Sequence, residues 1–435
     1  MGGKSGAWIL KWGGLQIRIK ACPLTASRCL RSRESRWNIE AVMRDDLPQG
    51  TAPSRMRIAL CHKRLDEKGG TERDFYLTAM GLRDLGHEIH LFCSEFAIQP
   101  PDGISSHEVP VLPFGRTAAL WLFALRAPRI VERFNCDVVV SFGRLMTQDV
   151  LRSGGGSHKL FLQKLGQHAG LRRRIWQRLS LYHRSVLAIE KRQFAPGGFR
   201  RAITVSEEAK RELMAAYAVP DHKIVVLHNG VDHRRFHPTL QTTWRKAIRK
   251  EWGIPADASV ALFVGNGFRR KGLDRLLGLW GSSKLAKVFL LTVGHDARMS
   301  GYRAWAAKQA PGRVIFAGRQ ANIERFYGAA DLVVLPSVQE AFGNVVLEAL
   351  ASGLPVVVSR NVGAAEVLTG SLVKGIVERP ESSELEAKLV DMIALCRQPE
   401  IAVEARRLAE AYSWGNHFHK LEACLMEVCR QRNRA

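Results

Sequence analysis

One short apolar run, with the loop and helix that follow it, constrains the fold more than any other stretch. Residues 332–335 read Leu-Val-Val-Leu and are bounded by Pro336. A continuously apolar run of this length is typical of a strand buried on both faces, as in a parallel sheet. Gly343 then precedes an apolar helical segment that ends before Gly353, and a second apolar run spans 356–358. This order predicts a doubly wound α/β fold, which binds ligands at the carboxyl edge of its sheet.

Two carboxylates flank the junction between this loop and its helix. Glu340 precedes the helix, and Glu348 lies about one turn inside it, on the same face as Asn344. The N–H groups at a helix start favour phosphate, so an acid at this place needs a hydroxyl group to hold. A sugar and a ribose both supply hydroxyls. The alternative is that both acids complement the helix dipole or are simply solvated.

The spacing of these acids resembles the acidic motif of the family-4 retaining glycosyltransferases. Glu340 and Glu348 have seven residues between them, and Phe342-Gly343 follow the first acid. The resemblance implies that Glu340 touches the donor sugar near its reacting carbon and that Glu348 binds the ribose hydroxyls. It also implies that the donor diphosphate is held by the loop at Phe342, Gly343, Asn344 and Val345. The implied fold is GT-B, in which two Rossmann-like, doubly wound α/β domains face each other across a central cleft.

A pair of cations precedes another helix. The apolar run 260–264 leads into a glycine-containing loop and then into Arg270 and Lys271. Lysine provides a point charge and arginine a planar fork, so the two before a helix are typical of a phosphate clamp. The alternative is a solvated basic turn. By resemblance to the Arg/Lys pair of the family, Arg270 and Lys271 are expected to grip the donor diphosphate and neutralise its charge as it leaves.

The N-terminal half supplies a first glycine loop. Gly69 and Gly70 stand between the apolar run 58–61 and a helix, where the backbone can come close to a ligand. In the family this loop lies against the donor diphosphate and the acceptor. Asp74, one turn into the helix, is then a candidate for facing the sugar, and an ordinary first-turn helix acid is the alternative.

A second glycine loop contains three consecutive glycines, 154–156, ahead of His158. Such a run requires an unusual backbone and a close neighbour. In the family this loop touches the donor sugar from the N-terminal side of the cleft. Some relatives carry an Asp within the run, where this chain has Gly155, so His158 is the residue expected to orient the sugar. A structural histidine is the alternative.

Two more arginines are candidate donor contacts. Arg235 follows the His-Asn-Gly-Val-Asp turn at 228–232, which resembles the family's turn at the end of the first domain. Arg319 follows a strand-like run and lies in a loop that flanks the nucleobase in the family. Residues 363–366 resemble the loop that often closes the donor pocket.

The chain is strongly basic, with 65 Lys and Arg against 41 Asp and Glu and a net charge of +24. Such an excess indicates nucleic acid, an anionic membrane surface or an acidic substrate as a partner, and the motifs do not fit nucleic acid. Segment 171–199 repeats apolar residues at intervals of three and four with basic residues between them, as in a helix on an anionic membrane. An amphipathic helix with a solvated basic face is the alternative. The expected membrane-surface residues are Arg172, Arg173, Arg174, Trp176 and Arg178.

The chain divides by composition into a leader and two domains. The leader, 1–55, carries ten basic residues and no sustained period, so it is expected to be disordered or an over-called reading frame before Met56, with a membrane-binding leader as the alternative. The expected domains are an acceptor-side domain at 56–237, a nucleotide-sugar-binding domain at 238–412 that opens with a polar connector at 238–257, and a C-terminal helix at 413–435 that crosses back to the first domain.

The eight cysteines form no C-x-x-C pair, and no apolar run approaches a membrane span. The expected location is cytoplasmic, on the inner face of the cell membrane.

Taken together, these resemblances imply a retaining hexosyltransferase. The glycine loops and the Arg-Lys-Gly stretch look most like those of the lipopolysaccharide core glucosyltransferases, which favours UDP-glucose as donor and a lipid-linked glycan, such as a core heptose, as acceptor. The chain has no Asp-x-Asp sequence, so a metal-independent enzyme without a cofactor is expected, in which cations and helix starts stabilise the leaving group. The alternatives are a UDP-sugar epimerase or hydrolase of the same fold, or another donor such as UDP-N-acetylglucosamine.

Overall fold

The computed structural model describes residues 9–12, 15–18, 55–66, 69–112, 115–167, 179–380 and 383–433. The chain divides into two compact units, Met1–Ala41 and Val42–Ala435. In the first unit, strands β1 (Ile9–Trp12) and β2 (Leu15–Arg18) pair antiparallel, a hairpin that the sequence analysis did not predict. The rest of the predicted leader, up to residue 54, lies outside the described residues.

The second unit begins with a seven-stranded sheet. Its strands are β3 (Arg57–Cys61), β5 (Glu88–Cys93), β7 (Ser105–Glu108), β8 (Val138–Ser141), β9 (Val150–Ser153), β10 (Arg201–Thr204) and β11 (Ile224–Val226). The spatial order is β11-β10-β9-β8-β3-β5-β7, and every neighbouring pair is parallel. Two short strands, β4 (Arg64–Leu65) and β6 (Glu95–Phe96), pair with each other. The order reverses between β3 and β8, so the loops that follow these two strands meet at one edge of the sheet.

A six-stranded sheet forms the second half of this unit. Its strands are β12 (Ser259–Val264), β13 (Val288–Val293), β14 (Val314–Gly318), β15 (Leu332–Leu335), β16 (Val356–Ser359) and β17 (Ile376–Val377). They are ordered β14-β13-β12-β15-β16-β17 and are parallel throughout. Here the order reverses between β12 and β15, the dinucleotide-binding arrangement of doubly wound sheets. The prediction of two doubly wound α/β domains is confirmed.

Helices connect the strands of both sheets. The first domain contains α1 (Gly70–Asp84), α2 (Arg116–Val131), α3 (His158–Gln167), α4 (Leu181–Gln193) and α5 (Glu207–Tyr217). The second contains α6 (Leu240–Glu251), α7 (Phe268–Lys271), α8 (Leu273–Leu279), α9 (Met299–Gln309), α10 (Glu324–Ala329), α11 (Asn344–Ala351), α12 (Glu384–Leu395) and α13 (Pro399–Glu410), and α14 (Trp414–Asn433) ends the chain's described part. Short 3₁₀ turns span Glu132–Phe134, Asp221–Lys223, Ser283–Leu285, Gly363–Val367 and Gly370–Gly375.

Each sheet is buried on both of its faces. In β15, Val333 and Leu335 belong to one hydrophobic core and Leu332 and Val334 to the core on the opposite face. The prediction that 332–335 is a doubly buried strand is therefore confirmed. Because side chains alternate along a strand, a wholly apolar run of this length is stable only between two such layers.

The predicted polar connector at 238–257 is largely helix. Leu240 and Ile248 of α6 are buried in the second domain's core. Arg249 is buried too, because its guanidinium donates to backbone carbonyl groups and contacts Asp331 at 3.0 Å. The sequence analysis did not predict this helix because the segment is polar. Its arginine can be buried only because Asp331, more than eighty positions away, neutralises it.

Helix α14 packs against the first domain. Leu421, Leu425 and Val428 lie in the core beneath the first sheet. A Cβ at Gly81 of α1 would come within 2.3 Å of the Phe418 ring, so only glycine allows this close approach. His87 adds a buried contact with Glu422 at 2.9 Å.

Candidate active site

The candidate site lies where the order of the second sheet reverses. The loop after β12 leads into α7, and the loop after β15 leads into α11. The two loops are joined through their backbones, because the Val338 N–H donates to the Arg270 carbonyl at 2.9 Å. A Cβ at Gly272 would lie 2.0 Å from the Pro336 carbonyl oxygen, so glycine is required for the loops to come this close.

This contact brings the predicted cations to the predicted acid. Glu340 Oε2 lies 2.5 Å from Arg270 Nη1 and 2.7 Å from Lys271 Nζ. The Arg270 side chain is 48% exposed, whereas that of Lys271 is only 10% exposed. One carboxylate therefore neutralises a buried cation and a solvent-facing cation at once.

Burial and charge act in opposite directions on this cluster. Burial by itself would raise the pKa of Glu340, but the charges of Lys271 and Arg270 outweigh burial and hold that pKa below its ordinary value. Burial lowers the pKa of Lys271, and the Glu340 carboxylate opposes that shift. The cluster is thus an ion pair whose members depend on each other for the charged state.

The second acid of the motif is held inside the domain. Glu348 is buried on α11, and its Oε2 accepts a hydrogen bond from the Tyr327 hydroxyl at 2.6 Å. Burial and the adjacent Glu348 charge raise the pKa of Tyr327 well above its ordinary value, so the phenol remains a donor. This bond fixes the orientation of the carboxylate.

The start of α11 depends on a glycine that sequence analysis singled out. Gly343 has φ +96°, and a Cβ there would lie 2.8 Å from Val362. Phe342 is buried beside the His228 ring. The first-turn N–H groups of a helix have no partners within the helix, and in α11 that turn begins at Asn344 and Val345.

A chain of polar contacts connects the first domain to this helix. Asn229 donates to Asn344 Oδ1 at 2.9 Å, and Arg152 donates to Asn229 Oδ1 at 3.2 Å. Arg152 also contacts both carboxylate oxygens of Asp74, at 2.7 and 3.0 Å. The Asn229 turn, recognised only as a domain-end motif, is thus a link between the two sheets.

These contacts give Asp74 a structural role. Both of its oxygens accept hydrogen bonds from Arg152, whose side chain is fully buried. Removing either partner would leave a buried charge unpaired. Each carboxylate oxygen can accept a second hydrogen bond, so the contact of Asp74 with the sugar stays a prediction.

The structure shows the neighbours of His158, and its predicted contact with the sugar stays a prediction. Its Nε2 lies 3.1 Å from His183 Nδ1 on α4, and its backbone N–H donates to Glu190. Burial, then Arg144 and His183, lower the pKa of His158 to about 4, so the ring is neutral at pH 7. Among the described residues, its polar contacts are with these neighbours and not with the Glu340 loop.

The first glycine loop carries an acid that the prediction overlooked. Gly69 has φ +127°, and a Cβ there would lie 2.2 Å from Glu72 Oε2. His62 lies 3.8 Å from the same carboxylate, and this neighbour is the main reason that the pKa of Glu72 is lowered. A Cβ at Gly70 would meet nothing within 4 Å, so the start of α1 is open at that position.

The two outlying arginines have different surroundings. Arg235 contacts Glu324 of α10 at 2.7 Å and donates to the Ala321 carbonyl, so part of its guanidinium is already bound. Arg319 is exposed one residue beyond β14, at the same edge of the sheet as the Glu340 loop.

Sequence reasoning missed Arg73 of α1, whose charge interacts with Glu348 of the second domain. Burial lowers the pKa of Arg73, and the Glu348 carboxylate opposes that shift while Arg235 adds to it. Its position beside Asp74 in the first turn was the only available signal. The predicted membrane-surface residues Arg172, Arg173, Arg174, Trp176 and Arg178 lie outside the described residues.

Comparison with protein families shows to which family the chain belongs. Residues 68–235 match the family described as Glycosyltransferase Family 4, and residues 245–408 match Glycosyl transferases group 1. The chain belongs to these glycosyltransferases. The first match falls on the seven-stranded sheet and the second falls on the six-stranded sheet, so both sheets belong to glycosyltransferase domains.

Individual glycosyltransferases support the same conclusion. Lipopolysaccharide glucosyltransferase WaaG of Escherichia coli is 25% identical over 337 residues, covering 76% of this chain and 87% of WaaG. The crystal structure of WaaG is similar with a TM-score of 0.69 at 23% identity, covering 85% of this chain and 99% of that chain. Anabaena HepE in complex with UDP-glucose has a TM-score of 0.61 at 18% identity, covering 86% and 100%. The predicted family resemblance and GT-B fold are confirmed.

Proposed function

We propose that this glycosyltransferase moves glucose from UDP-glucose to a lipopolysaccharide core heptose or a similar lipid-linked glycan, with retention at the anomeric carbon. One observation carries the proposal, the joint contact of Glu340 with Arg270 and Lys271 where the sheet order reverses. The name of WaaG, a lipopolysaccharide glucosyltransferase, and the UDP-glucose complex of HepE support this choice of donor and acceptor.

The two cations would hold the donor diphosphate. Lys271 is buried and contributes a fixed point charge, while the exposed Arg270 offers a planar fork to phosphate oxygens. A diphosphate at these cations would compete with the Glu340 carboxylate for them. That competition would release Glu340 oxygens to accept hydrogen bonds from the hydroxyl groups of the sugar.

The route we favour is departure and attack on the same face of the sugar. The bond between the anomeric carbon and the phosphate oxygen breaks while the acceptor oxygen forms its bond on that face. The acceptor proton passes to the leaving phosphate, so no protein nucleophile is required. Asp74 and His158, the candidates on the first domain, are engaged by Arg152 and His183, which is consistent with this route.

The remaining donor contacts follow from the second acid and the helix start. Glu348, oriented by Tyr327, would accept from the ribose hydroxyls. The first-turn N–H groups of α11 would add to the cations in stabilising the leaving charge. We propose that this stabilisation makes the enzyme independent of a metal ion and of any cofactor.

A panel of nucleotide sugars tests the donor. UDP-glucose should raise the thermal unfolding temperature more than ADP-glucose, GDP-glucose or UDP-N-acetylglucosamine, because a ligand at a hundredfold excess over its Kd adds about 2.7 kcal/mol of stability. The measurement is a thermal-shift series at equal ligand concentrations, followed by UDP release with and without a heptose-bearing lipid acceptor. Stabilisation by ADP- or GDP-sugars alone would overturn the donor. Equal UDP release without acceptor would indicate a hydrolase, whereas conversion of UDP-glucose into another UDP-sugar without acceptor would indicate an epimerase.

We further propose that the enzyme works on the inner face of the cell membrane. Leu179 and Leu181 are 68% and 70% exposed, and both lie within segment 171–199, which was predicted to lie on a membrane as a helix. In the structure α4 begins only at Leu181, after the N-cap Ser180, and ends at Gln193. Exposed leucines next to basic residues are typical of a surface that inserts among anionic headgroups. Among the described residues, no helix has both the length and the apolar character needed to cross a bilayer.

Vesicle binding tests this surface. Exchanging Leu179 and Leu181 together for serine should weaken binding to vesicles that contain anionic lipid by roughly tenfold or more, since burying one leucine is worth about 1.5–3 kcal/mol. Val403→Ser is the control, because Val403 of α13 is 67% exposed on the second domain. Co-sedimentation measures the binding. Equal binding of the wild-type chain to neutral and anionic vesicles would contradict the proposal.

A further inference from the structure

The second glycine loop packs against a carboxylate that the sequence analysis did not consider. Glu212 of α5 is buried, and a Cβ at Gly156 would lie 2.6 Å from its Oε2. Gly156 also has φ +71°, so any other residue would be strained there and would collide with the carboxylate. At the same run, a Cβ at Gly155 would meet nothing within 4 Å. The glycine run was predicted to have a close neighbour, and at Gly156 that neighbour is the Glu212 side chain.

The other oxygen of this carboxylate reaches the second domain. Glu212 Oε1 accepts a hydrogen bond from Gln339 Nε2 at 2.6 Å. Gln339 immediately precedes Glu340, and its backbone carbonyl accepts from Arg270 Nη1 at 3.3 Å. Gln339 is thus bound through its side chain to the first domain and through its backbone to the cation that contacts Glu340.

We infer that the Glu212–Gln339 hydrogen bond positions the Glu340 loop relative to the glycine loop of the first domain. Glu212 is a positioning residue in this inference, acting on the sugar through Gln339 and Glu340. The inference rests on the proposed function, in which Glu340 orients the donor sugar. It explains why a buried acid of the first domain is placed against the glycine run, since a buried carboxylate is retained only where its oxygens have partners.

The physical reason for an effect on turnover is geometric. Within its own domain the Glu340 loop is held by the Arg270 and Lys271 side chains and by backbone hydrogen bonds of Glu340, with its N–H donating to the Asn361 carbonyl at 3.1 Å. The Gln339 side chain adds a bond to the first domain. The hydrogen bond from Gln339 to Glu212 of the first domain limits how far this loop can move when a substrate is bound. Misplacing a catalytic group by about 1 Å can lower the rate by on the order of 10²-fold.

An exchange of partners tests the inference. Gln339→Glu places two carboxylates against each other, so kcat should fall on the order of 10²-fold, with the Kd for UDP changing less than threefold or so, because the cations remain. Adding Glu212→Gln should return kcat to within a few-fold of wild type, because the new amide at 212 donates to the new carboxylate at 339. Glu212→Gln alone should remain active, since an amide oxygen still accepts from Gln339. The control is Glu208→Gln, an acid on the same helix that pairs with Arg211 at the surface.

Hydrogen exchange separates this inference from the proposed function. Amide exchange in residues 337–343 should rise in the Gln339→Glu variant and return to the wild-type level in the double variant, whether or not the chain transfers glucose. If this exchange pattern is present but the wild-type chain transfers no glucose, the proposed function is refuted and the positioning contact stands. Unchanged exchange in Gln339→Glu, or a defect that Glu212→Gln does not rescue, would overturn the inference. Thermal unfolding of each variant shows whether a loss of activity is a loss of fold.

Discussion

Replacing Glu340 with alanine should abolish sugar transfer while leaving UDP binding largely intact. The Glu340 carboxylate contacts Arg270 and Lys271 in the structure, and we assign to it the orientation of the donor sugar. Its removal leaves both cations in place to hold a diphosphate, so the affinity for UDP should stay the same or rise. Removing a group that acts in the transition state lowers kcat on the order of 10²–10³-fold or more. Steady-state kinetics and calorimetry with UDP measure the two effects separately.

Two results would contradict this assignment of Glu340. Near-normal turnover would remove Glu340 from the mechanism. A loss of UDP affinity as large as the loss of kcat would instead mean that Glu340 organises the cations and has no separate contact with the sugar. Glu378→Ala is the matched control, because Glu378 is an exposed acid of the same domain that pairs with Arg360.

Replacing Lys271 with alanine should impair both donor binding and transfer. The Lys271 stem packs over Gly265, where a Cβ would lie 3.1 Å from it, so its ammonium group is held in one place. Without Lys271, the ion pair that the described residues leave to the largely buried Glu340 is the one with the solvent-facing Arg270. We expect kcat/KM to fall on the order of 10²–10³-fold, since a fixed cation stabilises the leaving charge. Unlike the Glu340 variant, this variant should also show a weaker Kd for UDP.

The neighbouring arginines provide the comparison for Lys271. Arg270→Ala should have a smaller effect of the same kind, because its side chain is 48% exposed and solvent screens its charge. Arg269 is exposed in the same short helix, and Arg269→Ala should behave as wild type. If all three variants lose activity equally, general positive charge explains the result and a specific clamp does not. Thermal unfolding temperatures exclude loss of fold as the cause.

Local sequence patterns were sufficient to predict features that depend on residues close together in the chain. The doubly buried strand at 332–335 was predictable because a wholly apolar run has few other stable environments. The helix start at Gly343 was predictable because glycine is one of the residues accepted at a helix N-cap and an apolar helical segment follows it. Arg270, Lys271 and Glu340 were expected to act together, and the structure brings them into contact although seventy positions separate Arg270 from Glu340. Parallel-strand topology explains this, since both loops follow strands that end at the same edge of the sheet.

Local patterns do not reveal a side chain's partner when that partner is distant in the sequence. Asp74 looks like any first-turn acid until Arg152, 78 positions later, is placed against both of its oxygens. His158 looked exposed to a ligand because glycines precede it, yet its ring lies against His183 of α4.

The sequence alone therefore determined the parallel α/β class, the placing of the phosphate-type cations before a helix and the family. Those properties depend on residue types at short spacing, which set strands, turns and helix starts directly. Only the tertiary structure decided which acids have partners, namely Asp74 with Arg152, Glu348 with Tyr327 and Glu212 with Gln339. The reason is physical. The energy of a buried charge depends on which groups surround it in space, and the chain brings those groups together from positions far apart in sequence.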